Sequence, residues 1–308
     1  MKAEKGYSYG PTGRGTSPFQ RRDCTEMAEQ PIERQPRDVL PEVKDVIAVA
    51  SGKGGVGKST VAVNLALSFV RMGKTSGLLD IDVYGPSAPT MFGIFEQPRT
   101  TPDHKLLPLE KYGLSLMSMG FLSTDDTPII WRGPMVHGLV NQFLHQVDWG
   151  ALDALVIDMP PGTGDAQLTL TQVAPLSGAV IVTTPQEVAL IDARKGLKMF
   201  QKVNVPVLGI VENMSHFACP HCGEGTYIFS KGGGRSTAEE LGVPFLGEIP
   251  IDPEIVVGGD QGEPIVIRHP DSPAARAFHA VAERTLAELA RIQAQTAQAR
   301  AAVGKMKW

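Results

Sequence analysis

The stretch Ser51-Gly52-Lys53-Gly54-Gly55-Val56-Gly57-Lys58-Ser59-Thr60 brings three hydroxyls, two lysines and four glycines into ten residues. Read as G-x-x-x-x-G-K-[ST], it is a phosphate loop. Its backbone N–H groups wrap the phosphates at a helix N-terminus, Lys58 reaches the β and γ oxygens, and Ser59 holds Mg²⁺. A rival pattern uses the same glycines, because Gly52, Gly54 and Gly57 also spell G-x-G-x-x-G and Asp80 lies where a dinucleotide site wants an acid for its ribose. The two separate on what else they require. A dinucleotide site needs neither Lys58 followed by Ser59 nor an acid ending a further strand, and this chain has such an acid in Asp158, followed by Met-Pro-Pro-Gly-Thr-Gly-Asp165. Asp158 can accept from the water shell of Mg²⁺, and Gly162 lets the backbone approach a γ-phosphate. A nucleoside triphosphate site is the expectation.

Asp80 and Asp82 project to the same side of an extended strand, so both can face the nucleotide and its metal, and either could orient an attacking water. The alternative is that one of them caps the segment that follows. Cys219-Pro220-His221-Cys222 puts two thiols on one tight turn. Three uses compete: a redox dithiol, which would sit at a helix N-terminus; a zinc site with His216 or His221 as further ligands; and half of a [4Fe–4S] site whose other two thiolates come from a second chain across a two-fold axis.

These groups need a scaffold that gathers strand ends. Short apolar runs at 46–50, 77–81, 114–119, 155–157, 179–183, 207–211 and 245–249 alternate with amphipathic segments at 60–71, 167–173, 189–202 and 236–241. Runs so continuously apolar suit strands buried on both faces. The pattern predicts an α/β fold: a doubly wound, mainly parallel sheet of about seven strands with helices on both faces, whose ligands bind beyond the carboxyl ends of the strands. Residues 1–44, rich in Gly, Pro, Ser, Arg and Glu, read as a flexible leader containing Cys24. The folded domain is expected over 45–292, with a polar tail at 293–308. A last helix should begin with Ser272 as N-cap and Pro273 in its first turn. Lys231-Gly-Gly-Gly-Arg235 lacks a following Lys-Ser, so Ser236 is expected to cap a helix over 237–241. The segment Trp131-Arg132-Gly133-Pro134 is expected to be a structural loop.

Composition narrows the classes. A net charge of −4 gives no general reason to expect a nucleic-acid partner, and the 3 cysteines cannot build a disulfide framework. No apolar run is long enough to span a membrane, and a reducing cytoplasm fits best.

With these motifs in view, the chain resembles the deviant Walker A ATPases, the class that contains MinD, ParA and the nitrogenase iron protein, within the P-loop NTPases of SIMIBI type. Lys53 carries the resemblance by occupying the extra lysine position of the loop. Within that class it is most similar to the Mrp/ApbC iron–sulfur carrier ATPases, including the mitochondrial carrier for respiratory complex I. The matching segments are Asp80-Ile-Asp-Val-Tyr-Gly-Pro-Ser87, Trp131-Arg-Gly-Pro-Met135, Asp158-Met-Pro-Pro-Gly-Thr-Gly-Asp165, Val211-Glu-Asn-Met-Ser215 and the cysteine pair. The resemblance implies ATP and Mg²⁺ as ligands held by residues 52–60, Asp158 and Gly162, adenine bound by Asn213, and a homodimer in which Lys53 reaches the other subunit's nucleotide. It implies slow ATP hydrolysis with Lys58, Lys53, Asp82 and Asp80 as the catalytic groups, a [4Fe–4S] cluster held by Cys219 and Cys222 of two chains, and delivery to apo-proteins. The extra N-terminal domain of many bacterial members and the four-cysteine N-terminal site of cytosolic eukaryotic members are not expected, since the leader holds only Cys24. A MinD/ParA-like positioning ATPase acting on membrane or DNA, and a zinc-bridged regulatory dimer, are the competing functions.

Overall fold

Runs of Val, Ile, Leu and Ala that are apolar on both faces are satisfied only inside a sheet covered on both sides. In the computed structural model they lie there. The structure describes residues 39–82, 85–122, 133–219, 221–222 and 224–305; the leader through residue 38, Cys24, Trp131, Arg132 and residues 306–308 lie outside them. The strands are β1 (Val43–Ser51), β2 (Ser76–Asp80), β3 (Leu109–Lys111), β4 (Leu114–Ser118), β5 (Leu152–Asp158), β6 (Gly178–Thr183), β7 (Val207–Glu212), β8 (Phe217–Ala218), β9 (Gly225–Thr226) and β10 (Phe245–Glu248). The helices are α1 (Lys58–Arg71), α2 (Ala88–Phe92), α3 (Gly133–Gln146), α4 (Asp165–Val173), α5 (Glu187–Lys202), α6 (Gly233–Leu241), α7 (Pro253–Asp260), α8 (Ile265–Arg268) and α9 (Pro273–Lys305).

Eight strands form the main sheet in the order β10-β7-β6-β1-β5-β2-β4-β3, and all its pairings are parallel except that of β3 with β4. The seven expected strands are present, and β3 is the addition. It is a three-residue edge strand without an apolar run, turned back onto β4 through Tyr112 and Gly113 at φ of 55° and 75°, the paired positive φ of a tight hairpin turn. The central strand β1 lies between β5 and β6, so its carboxyl end opens at the point where the chain changes direction across the sheet. Helices α1, α8 and α9 pack as one layer, and α5 and α6 as another.

Two helices differ from expectation at their ends. Ala275 N donates to Ser272 Oγ at 3.1 Å, the expected N-cap, but α9 continues to Lys305, well past Leu289, the last of its residues described as buried. The Ala-, Gln- and Arg-rich sequence beyond Ile292 has high helix propensity, which sustains the helix without packing. Ser236 does not cap α6. That helix begins four residues before the expected start, after Gly232 at φ 69°, and its Gly234 N–H is taken by the buried carboxylate of Glu212 on β7. A cap supplied from another strand leaves no mark on the local sequence. Gly133 and Pro134, expected in a loop, instead open α3.

Candidate functional site

Register brings the acids together before any side chain is considered. Asp80 at the end of β2 pairs with Asp158 at the end of β5, and β1 runs alongside into the loop 52–57. The loop's shape depends on glycine at particular places. Gly55 and Gly57 sit at φ of 78° and 77°, where a side chain is strained. A Cβ on Gly52 would fall inside the Asp192 carbonyl of α5 and 2.7 Å from Ala193 N. The loop therefore rests directly on the α5 backbone. Ser51 fastens it further: its hydroxyl donates to Lys53 O at 2.8 Å and its carbonyl accepts from Gly162 N at 3.0 Å.

Helix α1 begins at Lys58 with no side-chain cap and no acid in its first turn. Its first amide donors and the positive end of its dipole are thus left toward the loop, the arrangement that binds phosphate. Lys58 is 6% exposed; its Nζ lies 2.5 Å from Asp158 Oδ1, 3.4 Å from Asp82 Oδ2 and 3.3 Å from Ser59 Oγ. Burial opposes its charge, but Asp158, then Asp82 and Asp80, outweigh that and hold its pKa above the usual lysine value. Asp158 moves up, because burial outweighs the Lys58 attraction and the Ser59 hydrogen bond.

The two acids after β2 have different surroundings. Asp80 is enclosed: its Oδ1 accepts from Asp82 N at 3.1 Å, and its Oδ2 accepts from Ala88 N and Ser118 Oγ, each at 3.0 Å. Burial, with repulsion from Asp158, pushes it to about 7. Asp80 thus ties down Asp82 N and the first residue of α2, the capping role weighed for one of the pair, while Asp82 is the one of the two that pairs with Lys58. Asn213, expected at the adenine, uses its amide nitrogen inside the chain, donating to Val56 O of the loop at 2.9 Å. Val56 itself is buried, Gly54 is exposed, and Ser59 and Thr60 are half-exposed. Lys53 is half-exposed and makes no ion pair among the described residues.

Gln167 is a member of this site that the sequence reading passed over. It is buried in the first turn of α4, and its Nε2 donates to Pro160 O at 2.6 Å, holding the segment between Asp158 and α4 in place. Only its position two residues after Asp165 hints at this. The contact itself is set by the fold.

The cysteine pair sits apart from helix N-termini, at the turn of the β8–β9 hairpin, where Cys219 N donates to Glu224 O at 2.9 Å. That removes the structural basis for the redox-dithiol reading. Both thiols are free; Cys222 is exposed and Cys219 partly so. Hydrogen bonds from the Cys222 N–H, the His221 N–H and the Cys222 thiol hold the Cys219 thiol below its usual range, toward the thiolate that binds metal. His216 has its Nδ1 3.0 Å from Ser215 Oγ and its ring 5.9 Å from that of Tyr227. Among the described residues no three His, Cys, Asp or Glu side chains gather to hold a metal ion.

A family model described as ParA: NUBPL iron-transfer P-loop NTPase matches residues 42–286. An iron-sulfur cluster carrier protein of Synechocystis sp. is 54% identical over 253 residues, covering 80% of this chain and 72% of that protein. An iron-sulfur cluster transfer protein NUBPL of Dictyostelium discoideum is 51% identical over 261 residues, covering 83% and 81%. A solved nucleotide-binding protein in complex with ADP from Archaeoglobus fulgidus matches with a TM-score of 0.68 at 40% identity, over 78% of this chain and 93% of that one. The loop on β1, the paired acids of β2 and β5 and the match over residues 42–286 agree: the chain belongs to the ParA/NUBPL iron-transfer family of P-loop NTPases.

Proposed function

We propose that the chain is an ATP-hydrolysing carrier that holds a [4Fe–4S] cluster between two copies of itself and passes it to apo-proteins. The observation that carries this is the cysteine turn: two free thiols, one tuned toward thiolate, presented at the tip of a hairpin with no third ligand gathered beside them among the described residues. A cluster of this type takes four thiolates, and two copies supply them. The names of the relatives agree with this cargo, and exposed thiols suit a reducing compartment such as the cytoplasm.

At the other end of the molecule, the loop N–H groups and Lys58 bind and orient the ATP phosphates. Asp82, the acid beside Lys58, orients the water that attacks the γ-phosphorus as the bond to the β–γ bridging oxygen breaks. Lys53 of the second copy lies against the transferring group. Positioning and charge neutralisation suffice for this chemistry. The donor set fits Mg²⁺: the Ser59 hydroxyl stands beside Asp158, and three buried carboxylates face one ammonium, leaving negative charge for a divalent cation to offset. When bound, Mg²⁺ neutralises charge on the β and γ oxygens. Asn213, with its nitrogen on Val56, keeps its carbonyl oxygen for the base.

Anaerobic reconstitution followed by iron, sulfide and visible-absorbance measurement tests the cargo. The parent should take up about four iron per two chains, and Cys219→Ser combined with Cys222→Ser should take up none. Equal uptake by that variant overturns the assignment, and zinc in protein purified without oxygen would point to a zinc-bridged dimer. Co-sedimentation with lipid vesicles or DNA in the presence of ATP should show no binding.

A further inference from the structure

Arg71 closes the helix that Lys58 opens, which puts it about 20 Å along α1 from the phosphate loop. There α1, α8 and the first turns of α9 border a cavity of about 340 Å³. Its most buried lining residues include Val266 of α8 and Ala275 of α9, both apolar, and Ala280 lines it farther along α9. Val266 is held in place through its main chain: its N–H donates to Asn64 Oδ1 at 3.3 Å, and its carbonyl accepts from Arg71 Nη1 at 2.7 Å. Arg276 lines the same cavity from the first turn of α9, and its Nη1 donates to the main-chain carbonyl of Asp271. The arginines at 194, 235, 268 and 291 each hold a glutamate, whereas Arg71 and Arg276 make no ion pair among the described residues. Each therefore has one N–H of its fork committed to the main chain, with its charge uncancelled and the rest of its donors free. Two acids also reach the cavity. Glu283 lies 3.7 Å from His279 Nε2, and Asp271 offers Arg276 its main-chain carbonyl rather than its carboxylate, so neither neutralises a guanidinium by contact.

We infer that this cavity is a binding site for a small organic anion, a phosphate or carboxylate head on an apolar body, separate from the nucleotide site. A guanidinium fork takes either head through paired N–H donors. The same two charges repel a metal ion. Because main-chain carbonyls already orient both planar groups, little side-chain freedom is left to lose when a ligand binds. The volume lies in the range of small-molecule sites, about 300–1,000 Å³. A bare inorganic anion reaches the arginines but leaves Val266 and Ala275 uncovered, whereas an apolar body beside the head covers them and adds the burial of that surface to the charge contact. The site stands whether or not the cysteine turn holds a cluster.

The experiment is isothermal titration calorimetry of the full chain with the phosphate loop saturated by Mg·ADP, so that the probes cannot enter it. Phenyl phosphate and phenylacetate test the two head groups, with inorganic phosphate as the head alone and phenol as the body alone. At least one of the two organic anions should bind with a Kd below about 1 mM, and at least about tenfold more tightly than phosphate or phenol. Arg71→Met with Arg276→Met should weaken that binding at least about tenfold, while Mg·ADP affinity stays within about twofold of the parent. Ala280→Leu keeps both guanidiniums and their main-chain bonds and fills the space instead, and it should weaken binding at least about tenfold as well, so the test does not hang on the double variant folding. Organic anions that bind no better than phosphate and phenol overturn the site, as does binding that survives undiminished in Ala280→Leu or in a folded double variant.

Discussion

Replacing Lys58 with Met removes one positive charge and keeps the side chain's length, and so isolates the ion pair at the centre of the site. Lys58 and Asp158 have side chains 6% and 3% exposed and stand 2.5 Å apart, with Asp82 at 3.4 Å. Breaking a buried pair from one side strands the other charge, at a cost of about 3–5 kcal/mol. An independent route gives a similar figure. A carboxyl held near 7, as Asp80 is even with Lys58 present, instead of near its ordinary value costs about 4 kcal/mol above pH 7. Without Lys58 the pKa of Asp158 rises further above its unfolded value. The folded variant then binds more protons than the unfolded chain, and its stability falls as pH rises through that window. Urea unfolding followed by the fluorescence of buried Trp149 should therefore show a loss of about 3–5 kcal/mol at pH 8 and about 1–2 kcal/mol at pH 5. Adding Asp158→Leu should recover most of the loss at pH 8, and ATP turnover should fall at least about a hundredfold. A loss below about 1 kcal/mol at pH 8, or an equal loss at both pH values, refutes the buried-pair argument. Parental turnover refutes the phosphate-loop assignment.

Gly52→Ala should cost about 1–3 kcal/mol or more, because its methyl group meets helix backbone rather than a side chain that can turn away; differential scanning calorimetry reads the stability and a fluorescent analogue reads nucleotide affinity, expected to drop more than about tenfold. In the parent, Asp80 has its pKa raised by burial and by Asp158, with Asp82 and Lys58 also facing it. Stability should fall between pH 5 and pH 7 and the slope should flatten with Mg²⁺, and in Asp80→Asn, which loses about 1–3 kcal/mol because its amide opposes an N–H donor; an unchanged slope in that variant would assign the titration elsewhere. Ser272→Ala should lose about 1 kcal/mol of stability and leave ATP turnover unchanged, as measured by urea unfolding and phosphate release.

The phosphate loop was legible because its chemistry is local: glycines, lysine and hydroxyl are neighbours in sequence, and the strand before them and the helix after them carry clear periodicity. The sheet was legible for the same reason, down to its parallel order of mixing strand and helix. What escaped depends on contacts between distant segments. Nothing near Asp80 announces that Ala88 and Ser118 will claim its oxygens, and nothing near Asn213 points to Val56, 157 positions away. Glu212 caps α6 from β7, and so the helix start was placed four residues late. The strand β3 escaped through brevity, since three residues at an edge hold too few apolar positions to register as a period.

Five residues separate Asn213, whose amide carries the Val56 carbonyl of the phosphate loop, from Cys219 on the hairpin. Between them Met214 is held at φ 55° and Ser215 is pinned to Ile249 O by both its N–H and its hydroxyl, each at 3.0 Å, so little slack remains in the connection. Under the proposed function this short connection joins the nucleotide site to the cargo site. Whatever factor nucleotide imposes on the affinity for cargo, cargo must impose on the affinity for nucleotide. Under the proposed carrier function, any such coupling would make loaded and empty molecules differ in the nucleotide concentration at which each fills.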